Sequence, residues 1–212
     1  MFCTAECRDQ SLKRYHRYEC PIMDQLLHSP KVHLTLRQFF VALSMFDGSI
    51  ENLQQFLIEN ENRNMTIFDF DYKSEDAEND KNRLLAMRSL VKSSKIFSFE
   101  RHEEILKNQP QIGAVYYQHK DFIQSFLLKQ SQISDRNLQS VFSGSSKKSD
   151  DHDEDQLIRR IKQPIGIGSL LFGSLFNHSC SNNIIRCYHE GKVVYVVCQV
   201  IPKDGELFDS YK

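Results

Sequence analysis

No charge of one sign dominates this sequence. Its 27 Lys and Arg stand against 28 Asp and Glu, a formal net charge of −1, so it lacks the overall basic field that grips nucleic acid. It has no apolar run near the ~18 residues that span a bilayer, which argues against a membrane partner. Its first residues, MFCTAECRDQ, lack the apolar stretch of a secretory leader. A cytoplasmic and nuclear location is expected, where six Cys serve as free thiols or zinc ligands more readily than as disulfides. There is no internal repeat, and no cysteine in the long middle: Cys3, Cys7 and Cys20 open the chain, and Cys180, Cys187 and Cys198 lie near its end. That asymmetry points to ends that bind metal or do chemistry and a middle that packs. The composition is not that of a disordered chain, since 15 Phe and 8 Tyr among 212 residues can bury a core of one sizeable domain with an insertion.

The middle reads as helix. Leu36, Phe39, Phe40, Leu43 and Phe46 recur at spacings of three and four. Ser49 or Asp47 is expected to cap a second helix through Leu53, Phe56 and Leu57. Residues 60–82 read as a long surface connection. Further helices are expected over 82–96, over 100–107 with Pro110 as its stop, and from about Ile112 to Lys129. Residues 143–156, SGSSKKSDDHDEDQ, carry no apolar anchor and read as a flexible, solvated acidic loop. Beyond Gly166 and Gly168 the pattern changes. Val193-Val194-Tyr195-Val196-Val197 is a strand signal, with Ile184 to Tyr188 as its hairpin partner across the turn Glu190-Gly191-Lys192, and 202–206 is another turn. Helices first and short strands last make an α+β chain.

The most informative segment is Phe176-Asn177-His178-Ser179-Cys180-Ser181-Asn182-Asn183, followed after the hairpin by Gly205-Glu206-Leu207-Phe208-Asp209-Ser210-Tyr211. Read singly, Asn177-His178 is a turn before a strand, Tyr211 an aromatic near a chain end, and Ser174 a turn-stabilising hydroxyl. Together they resemble the two signature motifs of the SET fold, Asn-His-Ser-Cys-x-Pro-Asn and Gly-Glu-Glu-Leu followed by Tyr; Asn182 stands where that family has Pro. The resemblance implies S-adenosylmethionine-dependent methylation of a protein lysine, histone or non-histone. Such a reaction needs its two reactants held in line and its amine delivered uncharged, and it needs no metal. By resemblance Asn177 and His178 contact the cofactor, Tyr211 lines the methyl-transfer site, Ser174 occupies a cofactor-contacting position, and Asn137 matches a further cofactor-contacting Asn.

At the other end, Cys3-x3-Cys7, eight residues, then His16-x3-Cys20 is zinc-type spacing. The run also looks like the second half of a MYND module, in which Cys3 and Cys7 complete one zinc and His16 and Cys20 another, each with an earlier Cys pair. Three readings stand: one regrouped Cys3His site, two incomplete sites too weak to be structural, or a short amphipathic helix with incidental cysteines. The chain thus resembles the SET and MYND domain-containing protein-lysine methyltransferases, most closely their fourth subgroup. The family's Gly-x-Gly segment, first MYND half, post-SET cysteines and C-terminal helical repeats do not occur in these residues, so activity is expected to be impaired by truncation. Cys180, which in the family joins the post-SET zinc, is expected here to be a small buried residue. The expected organisation is a partial MYND zinc module at 1–20, a helical insertion at 21–142, the acidic loop at 143–156 and core SET motifs in small β-sheets at 157–212. A non-catalytic module that docks proline-rich peptides is the rival reading. Nucleic-acid binding by Lys13, Arg14 and Arg17 is weaker, since these read as solvated surface.

Overall fold

A buried stripe of Tyr18, Ile22 and Leu26, spaced at four residues, fixes the path of the N-terminal segment. The structure, a computed structural model, describes residues 4–71, 74, 76–142, 164–189 and 192–211. It divides into two units, one through Arg136 and one from Asn137. The described N-terminal segment is a run of helical turns: α1 (Ala5–Ser11), a π turn (Leu12–His16), α2 (Arg17–Glu19), a 3₁₀ turn (Cys20–Ile22) and α3 (Met23–Leu26). Thr4 caps α1 by accepting from the Cys7 N–H at 3.0 Å. Tyr18 stacks on Phe40, with ring centroids 5.4 Å apart.

The core of this unit is built on α4 (Pro30–Ser44), which buries Leu36, Phe39, Phe40 and Leu43. These are the residues whose periodicity predicts the helix. Pro30 starts it from the first turn, where its missing N–H costs nothing. Asp47 and Gly48 take left-handed φ, 53° and 88°, and end it. Ser49 then caps α5 (Ile50–Glu59), accepting from the Asn52 N–H as expected. Phe126 of α9 (Lys120–Asn137) meets Phe39 edge-on at 5.3 Å.

Three helical expectations shift. The surface connection after residue 60 ends early, because Asp76 caps α6 (Ala77–Arg88) by accepting from the Asn79 N–H at 2.8 Å. The helix expected over 82–96 stops at Arg88, and the apolar residues that prolonged the pattern, Val91 and Ile96, are exposed. The helix expected from Ile112 breaks into α8 (Pro110–Gly113), a 3₁₀ turn (Tyr116–His119) and α9. Pro110 stops α7 (Glu100–Asn108) as expected and also opens α8, where Gln109 caps it by accepting from the Gln111 and Ile112 N–H groups.

α7 carries a titratable group inside this core. His102 is buried against Phe99, their rings 5.4 Å apart, and neither ring nitrogen has a partner. Burial pushes its pKa from 6.5 down to about 4. The unfolded chain binds the proton first, so this stability is present above the ordinary histidine value and is lost as pH falls from there toward 4. The loss between pH 7.5 and pH 5 is expected to be about 2 kcal/mol. Urea unfolding of the parent and of His102→Leu at the two pH values checks it; equal pH slopes in both proteins would refute this role for His102.

Among the described residues the second unit holds three two-stranded sheets, consistent with the α+β reading. β1 (Leu138–Phe142) pairs antiparallel with β2 (Pro164–Ser169), and β4 (Ile184–His189) pairs antiparallel with β5 (Lys192–Val197) in the expected hairpin register, Ile184 opposite Val197. β3 (Asn177–His178) pairs parallel with β6 (Phe208–Asp209). The acidic loop at 143–156 and the turn residues Glu190 and Gly191 lie outside the described residues. The turn at 202–206 is present, closed by the Gly205 N–H donating to the Pro202 carbonyl at 2.9 Å, with Asp204 at φ 64°.

Candidate active site

Two dipeptides 31 residues apart in sequence, Asn177-His178 and Phe208-Asp209, are held side by side by backbone pairing. Asn177 lies opposite Phe208 and His178 opposite Asp209, and the Ser179 N–H donates to the Asp209 carbonyl at 3.1 Å. The connection between them is clamped by Asn183, whose side chain donates to the Glu206 carbonyl at 2.9 Å and accepts from the Phe208 N–H at 2.8 Å. Asn182, in the position the family fills with Pro, donates to the Ile184 carbonyl at 2.6 Å and so holds the turn by a hydrogen bond rather than by a ring.

This pairing brings His178 and Tyr211 together, with Asn177 next to His178 on β3. The Tyr211 N–H donates to His178 Nδ1 at 3.0 Å, and the two rings lie 5.0 Å apart. A backbone N–H can only donate, so Nδ1 is the acceptor and the neutral ring carries its proton on Nε2. The Tyr211 hydroxyl donates to the Phe176 carbonyl, which leaves its oxygen lone pairs available as acceptors. The Asn177 side-chain nitrogen donates to Glu206 Oε1 at 2.6 Å, and no hydrogen bond from the described residues reaches its Oδ1. All three side chains are exposed. The resulting set of an amide oxygen, an imidazole N–H and a phenolic oxygen suits a ligand with polar hydroxyl, amino and carboxylate groups.

Ser174 and Asn137 are placed differently. Ser174 closes a turn, its hydroxyl and its N–H both donating to the Leu170 carbonyl at 2.8 and 2.9 Å; this is the turn-stabilising role open to it from sequence. Asn137 is buried as the last residue of α9. Cys180 is exposed, which corrects the expectation of a small buried residue: it sits in the bend after β3 with its sulfur 3.4 Å from His178 Nε2.

Of the N-terminal metal candidates, Cys7, His16 and Cys20 fall among the described residues. Among the described residues no three His, Cys, Asp or Glu side chains could hold a metal ion. Cys7, His16 and Cys20 follow one another along the helical run, and Cys3 lies outside the described residues.

Beneath the site, β-strands are locked by a polar network that composition and periodicity do not reveal. Asp209 is buried, accepts from the Ser210 N–H at 2.8 Å and lies 3.6 Å from Arg186 Nε. Arg186 donates to Gln139 of β1, and the Tyr195 hydroxyl of β5 reaches the same oxygen at 3.4 Å. Phe176 packs on Tyr195 at 4.8 Å, and a Cβ on Gly173 would lie 1.9 Å from the Tyr195 oxygen, so a larger residue there would displace the Tyr195 hydroxyl. Glu206, Asn183 and Asp209 all fall inside the two sequence motifs; the motif is the signal that marks them, since as isolated residues they are ordinary turn and strand-end types.

The SET domain family model matches residues 60–212, most of the chain. The chain belongs to the SET domain family. SET domains are generally protein-lysine methyltransferases that use S-adenosylmethionine and act on lysines of other proteins. The match begins within the helical unit, so α6 to α9 belong to the family region along with the strands. No curated protein and no solved structure matches the chain.

Proposed function

We propose that this chain is an S-adenosylmethionine-dependent protein-lysine N-methyltransferase of the MYND-containing branch of SET proteins. The observation that carries the reading is the parallel pairing of β3 with β6, which sets Tyr211 against His178. In this reading Asn177 Oδ1 and the His178 Nε2–H hydrogen-bond polar groups of the cofactor. Ser174 and Asn137 support the same site, and Tyr211 orients the substrate amine. The cofactor, when bound, supplies a sulfonium methyl group to the amine. The Tyr211 oxygen, with its proton committed to the Phe176 carbonyl, accepts a hydrogen bond from an uncharged amine and holds its lone pair in line with the methyl carbon. Residues 157–212 carry the core motifs, 21–142 the insertion, and Cys3, Cys7, His16 and Cys20 descend from a MYND module in a protein of the cytoplasm and nucleus.

Calorimetric titration of the chain with S-adenosylmethionine tests the cofactor site, with Asn177→Ala/His178→Ala as the control. Binding in the parent and at least about tenfold weaker binding in the variant is expected, from the loss of two polar contacts. A folded parent that does not bind the cofactor would remove the enzyme reading and leave the non-catalytic, peptide-docking module in its place.

A further inference from the structure

The helical unit contains a groove of about 600 Å³, walled by the end of α5, residues 60–64, the end of α6 with the segment after it, and one face of α9. Its apolar walls include Leu57, Leu85, Phe122 and Phe126. Its charged lining is unequal: Arg63, Arg88, Lys92 and Lys129 are set against the single carboxylate of Glu61.

Arg88 is the unusual member. Its Nη1 is shut off from solvent without a hydrogen-bond partner, and among the described residues its guanidinium forms no ion pair. The group lies over the Phe126 ring at 4.8 Å, a contact that does not satisfy the Nη1 donors. Burial alone pushes its pKa down to about 10, with no carboxylate acting the other way. Lys129 is pushed down as well, first by burial and then by the charges of Arg88 and Lys92, against the weaker pull of Glu61. A buried cation without a partner is among the costliest arrangements in a protein interior. The buried charge of Glu19, by contrast, is answered by two hydrogen bonds from Arg37. A planar, donor-only guanidinium in the lining of a groove of mixed polar and apolar walls, with two ammonium groups in the same lining, is complementary to an oxyanion, and the volume falls in the range of small-molecule sites, about 300–1,000 Å³.

We propose that this groove binds a small organic anion, a carboxylate or phosphoryl group carried on an apolar body, with Arg88 as the anchor, Lys92 and Lys129 at its sides, and Leu57, Leu85 and Phe122 against the body. The site is lined only by residues of the helical unit and does not depend on the methyltransferase reading.

The test titrates the chain at low ionic strength with phenyl phosphate, phenylacetate, inorganic phosphate and neutral benzyl alcohol, followed by calorimetry and by the unfolding temperature. Either aromatic anion is expected to bind and to raise the unfolding temperature, benzyl alcohol to do neither, and the tighter of the two aromatic anions identifies the oxyanion class. Arg88→Met keeps the side-chain bulk and removes the charge. It is expected to weaken the binding by about tenfold or more while raising the unfolding temperature of the ligand-free protein, a pairing of effects that a purely structural arginine would not give. Lys129→Met is expected to weaken binding in the same direction and decides the matter if Arg88→Met does not fold. Absence of binding by both aromatic anions, or affinities unchanged in Arg88→Met and Lys129→Met, or inorganic phosphate binding equally well to parent and variants, overturns the proposal.

Discussion

Replacing Arg37 with Met is expected to destabilise the protein by about 3–5 kcal/mol at pH 7. The reason lies one helix away. Glu19 is fully buried, and its carboxylate accepts two hydrogen bonds from Arg37, each 2.7 Å, with His33 Nε2 at 3.1 Å. Burial by itself pushes the Glu19 carboxyl up; the hydrogen bonds from His33 and Arg37, and then their charges, together outweigh it and hold the group below the usual carboxylate range. Removing the guanidinium leaves a carboxylate in the core without its main partner, and the penalty is that of an uncompensated buried charge rather than of a lost contact. Arg37 also lies 4.3 Å over the Tyr15 ring, so its stem helps seat the N-terminal helical run on α4. Against a total stability of about 5–15 kcal/mol the loss is large.

The same pair has a pH signature. A carboxylate with a depressed folded pKa contributes stability that is fully present above its unfolded value and is lost as pH falls through the folded value. The gap between parent and Arg37→Met should therefore be widest at neutral pH and close as Glu19 becomes protonated in both proteins. Chemical denaturation from pH 7 down to pH 3 measures it. The double variant Glu19→Met/Arg37→Met is expected to regain most of the stability, because two apolar side chains of similar volume replace the pair without stranding a charge. If Arg37→Met alone were within about 0.5 kcal/mol of the parent, the range of an ordinary surface substitution, the pair would have no part in anchoring the segment.

The helical core was legible in the sequence wherever burial and periodicity coincide. Leu36, Phe39, Phe40 and Leu43 recur at helical spacing and are buried on one stripe of α4, and the run Val193 to Val197 does form one arm of a hairpin. Legibility fails where the periodicity is not what decides the structure. Residues 77–83, AENDKNR, show no apolar stripe, and α6 starts there because of its Asp76 cap and because Leu84, Leu85 and Ala86 further along are buried. Leu90 and Val91 continue an apolar pattern past the end of that helix, yet Val91 is exposed, so hydrophobicity prolonged the reading beyond what tertiary packing supports. β1 escaped because Leu138–Phe142 is short and pairs with a glycine-bearing strand more than twenty residues on. Non-local pairings of this kind leave no mark on local propensity.

The candidate site divides in the same way. Two-residue strands such as β3 and β6 are below what any periodicity can detect, and their parallel pairing joins positions about thirty residues apart. The motif resemblance named Asn177, His178 and Tyr211, and the pairing puts the last two in contact. It also drew attention to Ser174 and Asn137, whose side chains are a turn-closing hydroxyl and a buried helix end. What the motif did not convey is why those segments hold their geometry: the Asn183 clamp, the Glu206 contact with Asn177, and the buried Asp209 beside Arg186 are long-range polar contacts that take meaning only once the strands are paired.

Under the proposed function, Tyr211→Phe is expected to lower methyl transfer to protein lysine by about 10²–10³-fold while leaving S-adenosylmethionine affinity within about threefold of the parent, the size of effect seen when one preorganised polar group is removed from a reacting centre. Phenylalanine keeps the ring beside His178, 5.0 Å away, and keeps the backbone N–H that donates to His178 Nδ1. The variant therefore changes only the oxygen. That oxygen gives its proton to the Phe176 carbonyl, and its lone pairs are what orient an uncharged amine. Losing them affects the approach of the two reactants and not the hold on the cofactor, so the effect belongs in kcat rather than in cofactor binding. Transfer of a labelled methyl group from the cofactor to lysines of histone and non-histone proteins, read beside calorimetric cofactor binding, separates the two. Unchanged transfer would remove Tyr211 from the reaction. Cofactor binding lost together with transfer would make it a structural support of His178 instead, through the ring contact and the N–H to Nδ1 bond that join them.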